Sequence, residues 1–326
     1  MTGAESRHRL ILLVLLLAAL LSVVVAVALG SVSVSPRQLL AVLGGGGDPL
    51  QQDLILVLRG PRVLAAFATG GLLALAGALM QVLLRNPLAD PYVLGISGGA
   101  AVAALLAMLL GMGATVVSGS AFAGALLSTL LVFGLAHGAG GWTATRLLLT
   151  GVVVAAGWGA LVAFLLTVSP VQQLPGMLFW LMGDLGYAGS PWPAWLVLLP
   201  ALLITLPLGR SLNVLARGSL QATALGVSVR PLRAGLYVLA SLLTAMAVTT
   251  AGTVGFVGLI VPHMLRLGLG NDQRLILPAS VLAGGTLLTL ADTVARTALA
   301  PQQLPVGVIT ALLGVPAFLY LLYRSP

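Results

Sequence analysis

The run Gly95-Ile96-Ser97-Gly98 is the stretch most like a covalent catalytic motif, with His137 or His263 available as a base for the serine hydroxyl. In a chain with 41 glycines such a short match is cheap. The other reactive groups are sparse: seven Asp and Glu, three His and no Cys. Without Cys there is no disulfide framework, no thiolate zinc site and no Fe–S cluster. No carboxylates, His or Cys cluster at ligand spacing, so no metal site or cofactor is expected in this chain, and a solitary His263 reads as a structural residue. Every one of the 15 basic residues is Arg. A P-loop needs a Lys to reach the phosphates, so the chain is not itself an ATPase, and ATP-driven work would fall to a partner.

The elements that carry these few groups are apolar. Of 326 residues, 59% are hydrophobic and 7% charged, and the mean hydropathy is +1.12. Ordinary soluble domains carry about 25% charged residues. A chain this long and this apolar must have lipid as its solvent. That excludes a soluble enzyme and a nucleic-acid binder. The net charge of +8 is scattered between apolar runs and reads as membrane topology, not as a nucleic-acid patch.

A helix needs about 20 apolar residues to cross the hydrocarbon core. Such runs lie near residues 10–29, 63–84, 93–112, 121–136, 147–168, 192–208, 234–251, 254–265, 275–295 and 306–322, the eighth being short for a full span. A further apolar stretch, 177–182, is expected as a half-helix on the surface. The run 10–29 is too long for a signal-peptide core and lacks a small-x-small cleavage site, so it is the first span. With the N-terminus in the cytoplasm, Arg7, Arg9, Arg85, Arg146, Arg210, Arg217, Arg230, Arg233, Arg266, Arg274 and Arg324 face inward. Only Arg37, Arg59, Arg62 and Arg296 face outward, which is the asymmetry of cytoplasmic loops. The expected fold is an all-α integral membrane protein of about ten transmembrane helices, both termini cytoplasmic, forming a single transmembrane domain over residues 1–326. The inside loop 210–233 has room for two short helices joined near Gly218. Ala66, Gly70, Ala74 and Ala78 recur every fourth residue, a smooth stripe that lets another helix approach closely.

After the second span the chain reads Arg85-Asn86-Pro87-Leu88-Ala89-Asp90-Pro91-Tyr92-Val93-Leu94-Gly95-Ile96-Ser97-Gly98-Gly99-Ala100. Two prolines four apart break the backbone at membrane depth or at its edge. This run closely resembles the signature of the FecCD, or vitamin B12, family of ABC-importer permeases. Arg59-Gly60-Pro61-Arg62, Thr145-Arg146-Leu147-Leu148-Leu149-Thr150-Gly151, the glycine-rich run from Gly252 to Val261-Pro262-His263, Ala291-Asp292-Thr293-Val294-Ala295-Arg296 and Leu304-Pro305-Val306-Gly307 are similar to further family motifs, in order and at the family's spacing. In the run before His263, Pro262 removes a helix donor, which neighbours would have to compensate.

The resemblance implies a ten-helix, multi-pass subunit of the bacterial inner membrane that pairs with a second copy of itself. Two P-loop ATPase subunits, which hold the ATP and Mg, would bind inside, and one periplasmic substrate-binding protein outside. The pair would move a bulky metal chelate (iron–siderophore, haem or vitamin B12) from periplasm to cytoplasm by alternating access. The motifs are common to all three substrate types, because capture specificity lies largely in the binding protein.

Carried over residue by residue, the outward Arg59, Arg62 and Arg296 would dock acidic residues of the binding protein, a contact suited to the guanidinium fork. Asp292, four residues before Arg296, is a competing helical partner. Leu215, Ala216, Arg217, Gly218, Ser219, Ala222, Leu225 and Gly226 match the segment that couples to the ATPase. The family usually has an acidic residue where this chain has Ser219, which is expected instead to cap the second short helix. Asn86, Pro87 and Leu88, with Ala144 and Thr145, match the inner gate; as turn residues they also break the helix. Ion-coupled secondary transport is the alternative. It wants ionisable residues facing a pathway at mid-membrane, and the spans offer almost none beyond Asp292 beside Arg296.

Overall fold

The computed structural model describes residues 3–30, 32, 34–136 and 143–324, and among them every regular element is helical. His137 lies outside the described residues. The helices are α1 (Gly3–Ala28), α2 (Pro36–Leu43), α3 (Pro49–Gln52), α4 (Gly60–Leu83), α5 (Ile96–Leu109), α6 (Ala114–Ala136), α7 (Ala144–Val168), α8 (Leu174–Met182), α9 (Trp192–Arg217), α10 (Ser219–Ala224), α11 (Val229–Ala251), α12 (Val257–Leu269), α13 (Gln273–Thr297) and α14 (Val306–Arg324). A π-helical turn, Asp53–Arg59, runs α3 directly into α4. Among the described residues seven helical stretches are long and apolar enough to cross a membrane, and three shorter apolar helices, within α5, α12 and α14, accompany them.

Helix α4 is the axle. It is sheathed by α13, α11, α12 and α9, so that almost none of its surface is exposed. The small-residue stripe explains how. A Cβ on Gly70 would fall on the Gly284 carbonyl of α13, and one on Gly77 would fall on the Gly258 carbonyl of α12. In lipid, helices gain little by hiding apolar side chains from one another, so close backbone contact at small residues supplies the attraction. The outer helices α1 and α7 instead keep most of their apolar surface outward, as lipid-facing helices do.

Pro262 sits inside α12 and gives no N–H to the Gly258 carbonyl. Gln81 of α4 makes up the loss: its Nε2 donates to Gly258 O at 3.4 Å and to Leu259 O at 3.0 Å. Its Oε1 accepts from Arg266 Nη1, and Arg266 Nη2 donates to Ala78 O at 3.3 Å. A helix-breaking proline and a buried amide are thus two halves of one α4–α12 joint.

Several expectations are corrected. Helix does not stop where hydropathy drops: α9 continues to Arg217, so only one short helix, α10, follows in the 210–233 loop. Ser219 occupies the first turn of α10; Gly218 is the cap, at φ +136°, and no side chain caps the helix. The stretch 177–182 lies in α8, which is only partly superficial: Met177 is fully buried, and the Trp180 carbonyl lies where a side chain on Gly252 would stand. The third run is α-helical only over α5, after a 3₁₀ turn at its start, and the fourth begins at Ala114.

Candidate functional site

At the N-terminal end of α4 three arginines converge. Arg62 forks onto Asp292 of α13, with Nη2 to Oδ1 at 2.8 Å and Nε to both oxygens at 3.1 Å. Its Nη1 donates to Gln303 Oε1 at 2.8 Å, and Asp184 stands 3.9 Å away. Arg296, one helical turn beyond Asp292, donates to the same carboxylate at 3.0 Å and to the Ala26 carbonyl at 3.1 Å. Arg59 turns inward over Gly30 and donates to Val27 O at 3.0 Å, to Ala28 O at 3.3 Å and to Val32 O. It serves carbonyls at the C-terminal end of α1, where a cation is favoured. Arg59 and Arg296 are buried, and all three guanidiniums line a depression of about 750 Å³ that includes Gly186, Ser190 and Trp192. The expected trio is therefore brought together, and Asp292 partners Arg296 and also Arg62. Gln303 and Asp184 complete the cluster; the polar pair Gln302-Gln303 between two apolar runs was the available sequence signal.

At the opposite end of α4 the chain turns at Arg85 and climbs back. Asn86 Oδ1 accepts the Leu88 N–H at 2.9 Å, and Asp90 caps a 3₁₀ turn, Pro91–Leu94, through the Tyr92 N–H at 2.7 Å. Pro91 and Leu73 O lie at 3.0 Å and 2.9 Å from where a Cβ on Gly258 would stand. The segment has thus turned back along α4 by about 15 Å, at 1.5 Å per helical residue. Tyr92 Oη accepts the Val254 N–H at 3.2 Å, which pins the climb to the break between α11 and α12. Asn86, Pro87 and Leu88 are exposed, as is Thr145 in the first turn of α7. Ala144 opens that helix behind the Thr143 cap. The two segments that carry these residues meet deeper in, where Gly95 (φ +71°) lies against Gly151 and Ala155 of α7.

Beside that turn lies the segment 215–226. Leu215 and Ala222 are buried and fix α10 to the end of α9, whereas Leu220 and Leu225 are 87% and 68% exposed. Arg217 and Gly226 are exposed beside them, Ala216 also faces out, and Ser219 is half-buried. Asp272 ties the base of α13 to α9: it accepts from Asn213 Nδ2 at 2.9 Å and from Arg274 Nη2 at 2.8 Å. The Arg274 guanidinium, with Asn213 adding to it, holds the Asp272 carboxyl below the usual carboxylate range. Ser97 has no hydrogen bond to His263 among the described residues, so no nucleophile–base pair forms there.

Among the described residues the all-helical elements, an arginine–carboxylate cluster at one end of a buried axle, and a re-entrant turn beside the exposed Leu220 at the other make the build of a membrane permease subunit. The family model of the FecCD transport family matches residues 14–324, and the chain belongs to that family. It is 40% identical over 322 residues to the hemin transport system permease protein HmuU of Yersinia pestis, covering 95% of this chain and 96% of the relative. It is 39% identical over 326 residues to the vitamin B12 import system permease protein BtuC of Vibrio vulnificus, covering 98% and 96%. The solved structure of a metal-chelate type ABC transporter in an inward-facing conformation superposes with a TM-score of 0.86 at 33% identity, covering 97% of this chain and 99% of that one. The protein is accordingly an ABC-transporter permease of the inner membrane, multi-pass, with ATP hydrolysis left to a separate subunit.

Proposed function

We propose that two copies of this chain form the translocation path of an importer for a bulky metal chelate (an iron–siderophore, haem or vitamin B12), working by alternating access. In this reading the seven long and three short apolar helices make ten spans with both termini in the cytoplasm, which leaves most arginines on the cytoplasmic side. The observation that carries the proposal is whole-chain similarity to a metal-chelate transporter and to haem and vitamin B12 permeases, without a large gap in either chain.

The depression around Arg59, Arg62 and Arg296 would receive the periplasmic binding protein. Its guanidinium N–H groups are already engaged by Asp292, Gln303 and carbonyl oxygens while its net charge stays positive, so docking would work by sharing or exchanging those partners. The exposed Leu220 on α10 and Leu225 just after it would enter a groove of each of two P-loop ATPase subunits, with Leu215, Ala216, Arg217, Gly218, Ser219, Ala222 and Gly226 as its frame. Asn86, Pro87 and Leu88, with Ala144 and Thr145, would form the cytoplasmic gate. Among the described residues, the scarcity of unpaired ionisable groups along the spans supports energy supplied by a partner over ion coupling.

The test is isolation of the chain from its native membranes in mild detergent, with co-purifying proteins identified by mass spectrometry. A P-loop ATPase at about one copy per permease is expected, with a binding protein that retains cobalamin, haem or a ferric siderophore. A stable chain that reproducibly emerges alone overturns the proposal in favour of ion-coupled transport.

A further inference from the structure

A concave well of about 710 Å³ opens at the base of α4, between that helix and the ends of α9, α12 and α13. Four arginines line it, Arg85, Arg217, Arg266 and Arg274, against one carboxylate, Asp272. Two of the four are spent internally: Arg266 on Gln81 and the Ala78 carbonyl, Arg274 on Asp272. Asp272 is itself saturated by Arg274 and Asn213. Among the described residues the side chains of Arg85 and Arg217 have neither a hydrogen bond nor an ion pair, and both residues are exposed. The charge that Arg85 senses from Arg233 is of its own sign.

The backbone at Arg85 is also notable. Helix α4 ends with Asn86 N–H bonded to Gln81 O at 3.2 Å, and Arg85 sits in the left-handed region at φ +49°. Glycine is the ordinary occupant of that closing position, and a residue with a Cβ costs about 1–2 kcal/mol there. Capping therefore gives no reason for an arginine. What the conformation achieves is direction: Nη1 of Arg85 lies 3.6 Å from where a side chain on Gly218 would stand, at the start of α10. Arg85 also immediately precedes the Asn86–Leu88 turn.

We infer that this well is a receptor for an acidic side chain of the cytosolic ATPase subunit, held between Arg85 and Arg217. The inference rests on the coupling role proposed above for α10. It adds a second contact, electrostatic where that of Leu220 and Leu225 is apolar, which ties the docked subunit to the residue before the gate turn. Three features select a protein carboxylate as the occupant. The well is continuous with the coupling segment through Ala216 and Arg217, it carries unbalanced positive charge, and Ser219 offers the partner no charge of its own.

The experiment titrates the purified full-length permease in detergent with the ATPase subunit that co-purifies with it. Affinity is expected to fall at least about tenfold between about 50 and 500 mM NaCl, because the pairing is exposed to screening. Arg85→Gln with Arg217→Gln should weaken binding by about tenfold at the lower salt and flatten the salt dependence, whereas Arg85→Lys with Arg217→Lys should stay within about threefold. A salt-independent wild-type affinity, or an unchanged affinity in the glutamine pair, overturns the inference while the permease reading stands. So does loss of a bound anionic phospholipid from the glutamine pair, read by native mass spectrometry with ATPase affinity intact. A wild type from which no ATPase can be recovered overturns the underlying proposal as well.

Discussion

Arg62 and Asp292, 230 positions apart in the chain, form a forked ion pair with its shortest arm at 2.8 Å, and Asp292 holds Arg296 at 3.0 Å with its second oxygen. One buried carboxylate therefore serves two guanidiniums. Asp292→Asn should cost more than Arg62→Gln, since the first leaves two cations underpaired and the second leaves a carboxylate still held by Arg296. Breaking a buried pair costs about 3–5 kcal/mol. Thermal unfolding in detergent checks the order, and equal losses would refute it.

Arg59→Met is expected to loosen the end of α1 before it affects any docking. Bonds from a charged donor contribute about 1.5–3 kcal/mol each, and Arg59 serves three carbonyls. The chain has no Cys, so a single cysteine placed at Val27 reports without background. Its labelling by an impermeant maleimide should rise several-fold in the Met variant; unaltered labelling would show that α1 is held by other contacts.

The Gln81–Pro262 joint gives a double-mutant prediction. Gln81→Leu strands the Gly258 carbonyl and deprives Arg266 of an acceptor, at about 1–3 kcal/mol for each buried group. Pro262→Ala restores the missing N–H and should rescue about 1 kcal/mol of that loss. Strict additivity of the two changes in unfolding measurements would sink the joint.

Glycines divide sharply. Gly70→Val or Gly77→Val should abolish assembly, because the new side chain meets backbone carbonyls that cannot move aside. Gly119→Ala and Gly134→Ala in α6 have nothing within 4 Å and should be neutral or stabilise by about 0.5–1 kcal/mol. Yield and melting temperature after gel filtration separate the two groups.

The Asp272 carboxyl is held down by Arg274 and Asn213. A depressed carboxylate contributes stability above its unfolded pKa of about 3.9, and the contribution is lost only as pH falls below that through the folded value. The stability difference between wild type and Asp272→Asn should thus be flat from about pH 8 to pH 5 and shrink below about pH 4. A difference that varies within the upper window contradicts the assignment.

Lipid solvation, helical class and the α4 stripe were legible from composition and spacing, and so was the Asp292–Arg296 pair. Which helix occupies the centre was not. In lipid, central and peripheral helices are both apolar, so α4 shows no pattern of hydropathy that marks it as the buried one. The end of α9 was hidden for a related reason: Arg210 and Asn213 end the hydropathy but not the helix, which runs on to Arg217. The partnership of Gln81 with the carbonyl freed by Pro262 joins positions far apart in sequence, and local patterns carry no record of it. Arg59 was legible as an outward cation, while its inward turn onto α1 depends on where that helix stops.

The sheathing of α4 also dictates how the chain can be made. Gly70 and Gly77 lie against Gly284 and Gly258, residues that leave the ribosome about two hundred positions later. At about 5–20 residues per second that is a delay of roughly 10–40 s. During it the glycine and alanine faces of α4 can rest in lipid without cost, but the Gln81 amide has no partner there until α12 arrives. Biosynthesis must therefore close a wall around a helix already in the bilayer, and an early-made segment is among the last to reach its final surroundings.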